Sequence, residues 1–225
     1  MVSNHWDEQR RLLDARGFGD PVMLDCQDVI EAIAKEHIQH AQFYKNPHNY
    51  SDSVRRLLAG ASFGQLLEGV CGPGLQVWRS AFFMKVPTAA EIGWHHDKHF
   101  SNGDSPIRLT LEDRHFSIFV AVTAVGEEDG CLEFIPRSHI DELGVTRDTR
   151  PFHLRPKAEH ILHDLPASAL STARAAPLKA GEALLFHSAT LHRSRPNTGQ
   201  LRRLGLVLRF APETAHVPEA LQAST

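Results

Sequence analysis

Histidine and aspartate stand one residue apart three times in this chain: His5-Trp6-Asp7, His95-His96-Asp97 and His139-Ile140-Asp141. With 15 His and 13 Asp in 225 residues, roughly one such pair arises by chance, so context must choose among them. The first lies in a polar N-terminal segment read as helical, and the third follows the turn-like Pro136-Arg137-Ser138. Only the middle one continues an extended-looking stretch with the large apolar neighbours Ile92, Trp94 and Phe100. Side chains alternate faces along a strand, which puts His95 and Asp97 on one face and His96 on the other. A second imidazole from another strand would complete a 2-His-1-carboxylate set, which holds three positions of a ferrous octahedron and leaves three open.

That second imidazole is sought in Leu184-Leu185-Phe186-His187-Ser188-Ala189-Thr190-Leu191-His192, where either His187 or His192 could serve. Arg202-Arg203 follows a short way on. Arg suits a ligand carboxylate because its planar fork bonds bidentately and stays charged.

The segments that carry these groups change character along the chain. A helix is predicted over 5–16, closed by Gly17, with a short strand at 21–24 and a helix over roughly 26–42. The latter opens on capping-box spacing at Asp28 and Glu31 and carries an apolar stripe in which His37 packs rather than ligates. Two more helices are expected before Gly72, the second capped by Ser62 and Gln65. Beyond Gly72-Pro73-Gly74 the texture is β: runs at 75–86, 92–100, 116–125, 131–135, 183–187 and 201–210. The 116–125 run is apolar on both faces, as a buried central strand requires, and Glu127-Glu128-Asp129-Gly130 reads as a hairpin turn. Residues 140–178 read as a polar insertion or lid. Helices first and many short strands afterwards predict an α+β fold whose β part is a sandwich or barrel, in one domain spanning 1–225: a mainly helical 1–72 and a β core over 73–212.

Composition sets the outer bounds. At 42% apolar and 23% charged residues the chain is ordinary for a globular protein. A net charge of -3 gives no case for nucleic acid or an anionic membrane as partner, and no apolar run reaches spanning length. Cys26, Cys71 and Cys131, odd in number and far apart, read as thiols in a reducing compartment. Without signal-peptide features at the N-terminus, a cytoplasmic protein is expected.

Four blocks in order give the pattern a family likeness: Gly72-Pro73-Gly74 through Lys85-Val86-Pro87, Trp94-His95-His96-Asp97, Asp129-Gly130-Cys131-Leu132-Glu133-Phe134-Ile135-Pro136-Arg137-Ser138-His139, and Gly181 to His187 with His192 to Arg203. From about Gly72 to Phe210 the sequence resembles the phytanoyl-CoA dioxygenase family of Fe(II)- and 2-oxoglutarate-dependent oxygenases. The resemblance implies a double-stranded β-helix (jelly roll) with N-terminal helices packed on the major sheet, and His95, Asp97 and His192 as metal ligands. It also implies Fe(II), 2-oxoglutarate as cosubstrate and O2. Arg203 matches the family's Arg for the distal carboxylate of 2-oxoglutarate, with Arg202 as runner-up because one residue of register reverses the face. Ser194 matches an assisting hydroxyl, and Arg79 is a further cosubstrate or substrate contact. His96 stands where the family often has Gln, and Arg137 where a glycine is frequent. Asp97 itself argues for hydroxylation or another oxidative C–H reaction, since related halogenases carry a small residue there.

Two other classes compete: a metal-binding jelly-roll isomerase or hydrolase of cupin type, and a jelly-roll module that binds a small molecule without catalysis. Odd-numbered residues of 75–86 and the mixed charges of 140–178 are expected to shape the pocket, favouring a polar small molecule of secondary-metabolite or amino-acid type.

Overall fold

In a computed structural model of the chain, residues 3–38, 45–97, 114–140 and 164–215 are described. Their strands form two antiparallel sheets. The larger takes the order β1 (Val22–Met23), β7 (Glu182–His187), β4 (Phe116–Ala121), β9 (Arg203–Pro212), β2 (Leu75–Lys85). The smaller takes β3 (Ile92–His95), β8 (His192–Ser194), β5 (Leu132–Phe134), β6 (Arg174–Ala176). Helices α1 (Ser3–Arg16), α2 (Gln27–His37), α3 (Asp52–Leu58) and α4 (Ala61–Cys71) precede the long strands, and a single turn, α5 (Ala167–Leu170), leads into β6.

Period-two patterning explains the layering. On β4, Phe116, Ile118 and Val120 share one apolar cluster with Leu204, Leu206, Leu208 and Phe210 of β9 and with Ile30, Ile33, Leu57, Phe63 and Leu66 of the helices. The alternate residues Phe119, Ala121, Leu184, Phe186 and Val207 pack instead between the sheets, against Leu132 and Phe134 of the smaller one. All six residues of β4 are buried, so the run apolar on both faces is a central strand covered by helices on one side and by the second sheet on the other. The expected helices on the major sheet are therefore present, and His37 packs as expected, its ring 4.4 Å from that of Phe82.

Several local expectations are corrected. Helix α2 begins after Cys26, so Asp28 lies in its first turn, where it favours the positive helix end without capping it. Helix α4 begins after Gly60, which places Ser62 inside it; the serine that caps is Ser51, whose Oγ accepts from Val54 N at the start of α3. Residues 39–42 of the predicted long helix, Phe100, and residues 141–163 of the insertion lie outside the described residues. The Glu127–Gly130 turn does not close a hairpin: β4 bonds to β7 and β9, β5 bonds to β6 and β8, and the turn carries the chain from one sheet to the other.

Gly205, on the inner side of β9, is required by its neighbour. A Cβ there would sit 2.3 Å from Phe119 Cζ, whose ring fills the space a side chain would take. Gly205→Ala is expected to destabilise the protein by about 1–3 kcal/mol through overpacking, measured as a shift in denaturant midpoint at unchanged slope.

Candidate metal centre

Strand pairing brings the two imidazoles together. Strands β3 and β8 run antiparallel with His95 directly opposite His192, and the ring centroids are 4.3 Å apart. Phe134 and Phe186 flank the His192 ring at 5.7 and 4.9 Å and limit its rotation. Asp97 lies two residues past the end of β3, so the strand alternation that groups it with His95 stops short of it. A different contact holds it: Asp97 N–H donates to the Ser188 carbonyl at 2.8 Å, tying it to the loop between β7 and β8. That loop is anchored in turn on Gly17, whose carbonyl accepts from His187 N and from Thr190 Oγ, and whose left-handed φ of +92° leaves no room for a side chain beside Thr190. One ligand atom from each of His95, Asp97 and His192 then lies within 4.8 Å of the others.

Each histidine is aimed in the same way. His95 Nδ1 donates to the Gly93 carbonyl at 2.8 Å, and His192 Nδ1 donates to the Thr190 carbonyl at 3.0 Å. A carbonyl can only accept, so Nδ1 carries the proton and Nε2 keeps its lone pair for a metal. Burial, together with the neighbouring His192, lowers the His95 pKa to about 4, and burial also lowers that of His192, so both rings are neutral donors near pH 7. Burial works the other way on Asp97, but Arg209 and the two histidines outweigh it and hold the carboxyl well below its ordinary value.

Arg209 and Ser117 join the site without being among the residues expected from the sequence. Arg209 Nη2 donates to Asp97 Oδ1 at 2.5 Å, and Ser117 Oγ donates to Asp97 Oδ2 at 2.9 Å. A usable signal exists for the arginine: positions 203, 205, 207 and 209 fall on one face of a strand, so two arginines on an otherwise apolar strand share the interior side. Ser117, a lone hydroxyl within an apolar run, carries no comparable sequence signal.

The three ligands open onto a cavity of about 380 Å3, mouth included, whose apolar wall is formed by Phe83, Phe119, Leu132, Phe186 and Val207. Arg203 and Ser194 line it as well. Arg203 is 1% exposed, donates from Nη2 to the Gly130 carbonyl at 2.9 Å, and lies over the Phe119 ring at 5.0 Å. Among the described residues its buried Nε has no hydrogen-bond partner, and burial lowers its pKa to about 10. Arg202, the alternative, is exposed on the other face. Lys85 sits opposite Arg203 in the β2–β9 register, donating to the carbonyls of Ala90 and Arg195. Arg79 is not at this end: it pairs in register with Arg209, six residues and about 20 Å along the strand. His187 lies elsewhere, its Nδ1 accepting from Ala189 N and its ring 5.5 Å from that of His139, in a separate cavity beside Arg10 and Asp14. His5-Trp6-Asp7 falls within α1.

Residues 18–205 match the family model for phytanoyl-CoA dioxygenase. The chain belongs to the phytanoyl-CoA dioxygenase family. Among relatives, it is 28% identical over 173 residues to a probable alpha-ketoglutarate-dependent hypophosphite dioxygenase of Stutzerimonas stutzeri, covering 76% of this chain and 57% of the relative. It is 26% identical over 154 residues to the dioxygenase lolE1 of Epichloe uncinata, covering 68% and 53%. The chain thus spans a little over half the length of these curated relatives. Among solved structures it is similar to the non-heme alpha-ketoglutarate-dependent epimerase SnoN of nogalamycin biosynthesis (TM-score 0.74, 20% identity, 96% of this chain and 86% of that one). It is also similar to the carbocyclase SnoK of the same biosynthesis (TM-score 0.73, 18% identity, 94% and 87%). These likenesses establish the jelly-roll fold for this member of the phytanoyl-CoA dioxygenase family.

The residues present fit the cofactors that family uses. Two neutral imidazole nitrogens and an ionised carboxylate are a donor set suited to Fe(II), and an unpartnered buried guanidinium nitrogen suits an anionic cosubstrate. Acid should expose the cost of the buried imidazoles. A histidine with a lowered folded pKa contributes stability that is fully present above its unfolded value near 6.5 and is lost as pH falls toward about 4. The metal-free protein is therefore expected to lose on the order of 3 kcal/mol from His95 between pH 6.5 and 4, followed by urea unfolding across that range. His95→Gln should flatten the decline.

Proposed function

We propose that this protein is an Fe(II)- and 2-oxoglutarate-dependent oxygenase that oxidises a C–H bond of a polar small molecule, with hydroxylation the favoured outcome. The observation that carries the reading is that one cavity holds the His95, Asp97 and His192 donors together with the buried cation Arg203 and the hydroxyl of Ser194. His95 and His192 would hold the metal through Nε2 and Asp97 through one oxygen, leaving positions for a chelating 2-oxo acid and O2. When bound there, Fe(II) with 2-oxoglutarate and O2 supplies oxidative decarboxylation to succinate and CO2, coupled to oxidation of the substrate.

The protein's own residues do the rest. Arg203 binds the far carboxylate of 2-oxoglutarate, its free Nε and low local polarity making that contact strong, and Ser194 assists as a hydroxyl donor. Phe83, Phe119, Phe186 and Val207 exclude water from the reacting region. Arg79, on the inner face of β2 across from Arg209, is read as a substrate contact, since it stands far from Arg203 on the opposite arm of the interior. That face carries the odd-numbered positions expected to shape the pocket, and Phe83 does line it. The printed activity of one relative, a probable hypophosphite dioxygenase, favours a small polar substrate.

The apolar cluster shared by the helices and the major sheet supports one domain built from a helical part (1–72) and a jelly-roll core (73–212). Three buried free thiols support a cytoplasmic setting, and among the described residues no helix is long and apolar enough to cross a membrane.

The test is release of succinate from 2-oxoglutarate with Fe(II) and O2, screened over polar candidate substrates. Arg203→Ala is expected to raise the 2-oxoglutarate KM roughly 10- to 100-fold, the loss of one or two charge-assisted hydrogen bonds, with little change in iron affinity. His192→Ala should lose iron and His187→Ala should keep it. No 2-oxoglutarate turnover with any substrate would return the protein to the isomerase or binding-module readings, and iron loss in His187→Ala would displace His192 as the ligand.

A further inference from the structure

A carboxylate that chelates iron with both oxygens takes two of six positions. With two imidazoles already bound, that leaves two open, one fewer than a bidentate 2-oxo acid and O2 require. Something must therefore keep Asp97 to one oxygen. The residue placed to do so, Arg209, lies beyond the family match, which ends at residue 205, and its role rests on the oxygenase reading.

The two oxygens of Asp97 are held unequally. Oδ1 accepts from the Arg209 guanidinium at 2.5 Å, a charge-assisted bond between side chains only 10% and 4% exposed. Such bonds are roughly twice as strong as neutral ones. Oδ2 accepts from Ser117 Oγ at 2.9 Å, and that hydroxyl has a second partner within reach, Ser188 Oγ at 3.1 Å. Ser117 can rotate toward Ser188 and give up Oδ2 at little cost. Among the described residues Arg209 has no such alternative: its Nε is already buried without a partner there, so releasing Asp97 would strand a second part of a buried guanidinium.

We infer that Arg209 is a positioning residue that withholds Asp97 Oδ1 from the metal, so that Asp97 ligates through Oδ2 alone and a coordination position stays open for O2 beside 2-oxoglutarate. Its placement is built into the strand. Arg209 shares the inner face of β9 with Arg203, and the two arginines line the same cavity as the ligand set. One strand thus grips the cosubstrate at one point and governs the carboxylate ligand at another.

The experiment pairs two titrations of Arg209→Gln with the wild type. Metal-free protein is titrated with Co(II), and protein loaded anaerobically with Fe(II) and 2-oxoglutarate is titrated with nitric oxide as a stand-in for O2, followed by visible absorption. Arg209→Gln is expected to bind Co(II) as tightly as the wild type or tighter, because Asp97 is freed to chelate. Its nitric oxide dissociation constant is expected to rise at least tenfold, because the position beside bound 2-oxoglutarate is the one a chelating Asp97 would take, and Arg209→Lys should restore most of that loss by returning the charge. A smaller rise, or a tenfold or greater loss of Co(II) affinity, would overturn the inference. X-ray absorption of the Co(II)-loaded wild type gives a measurement independent of whether the variant folds: a carboxylate carbon drawn close to the metal, as in a chelate, would also overturn it. Wild type that binds no Co(II) and shows no 2-oxoglutarate chelate would sink the oxygenase reading itself and this inference with it.

Discussion

A carboxylate as deeply buried as Asp97 cannot stay ionised without compensation, and the way it is compensated ties the molecule together. Asp97 follows β3 of the smaller sheet, while its partners Ser117 and Arg209 belong to β4 and β9 of the larger one. The contact is therefore a polar link between two sheets that otherwise meet through Phe119, Phe134, Phe186 and Val207. Apolar packing between sheets is indifferent to small slides along the strands. An ion pair in a dry interior is not, because a displaced charge is left without a partner. The distance between the sheets and their relative register at the site are fixed by that link.

Strand β9 shows how one sequence serves two layers. Leu204, Leu206, Leu208 and Phe210 face the helices and supply core, while Arg203, Gly205, Val207 and Arg209 face the interior. The glycine yields space to Phe119, and that ring in turn lies beneath the Arg203 guanidinium. Packing, the proposed cosubstrate contact and the inferred control of the metal ligand thus fall on alternate residues of ten consecutive positions, and a slip of one residue would invert them all.

The relatives show that the fold by itself does not fix the reaction. SnoN and SnoK share this jelly roll and are described as an epimerase and a carbocyclase. Function is set by the site grafted on a fold, so residues beyond the ligand set are where selectivity is to be sought. Under the proposed function, that role falls here to the inner face of β2, where Arg79 stands, and to the wall at Phe83.

Residue order alone specifies the ligand types and the layering. His95 and Asp97 are singled out by residue type and spacing and the central strand by its unbroken apolar run, while the choice of His192 over His187 and of Arg203 comes from the family resemblance. Those features are local, and local periodicity is written in the order of residues. Folding settles whatever depends on partners distant in the chain. His187 is separated from His192 only when β8 pairs with β3, and Arg202 from Arg203 only when the register of β9 is set. The Glu127–Gly130 turn looks like a hairpin because turn chemistry is the same whether the chain returns to its own sheet or crosses to the other. Arg209 gains its role from a carboxylate more than a hundred residues away, a pairing that long-range burial creates and no short stretch of sequence records.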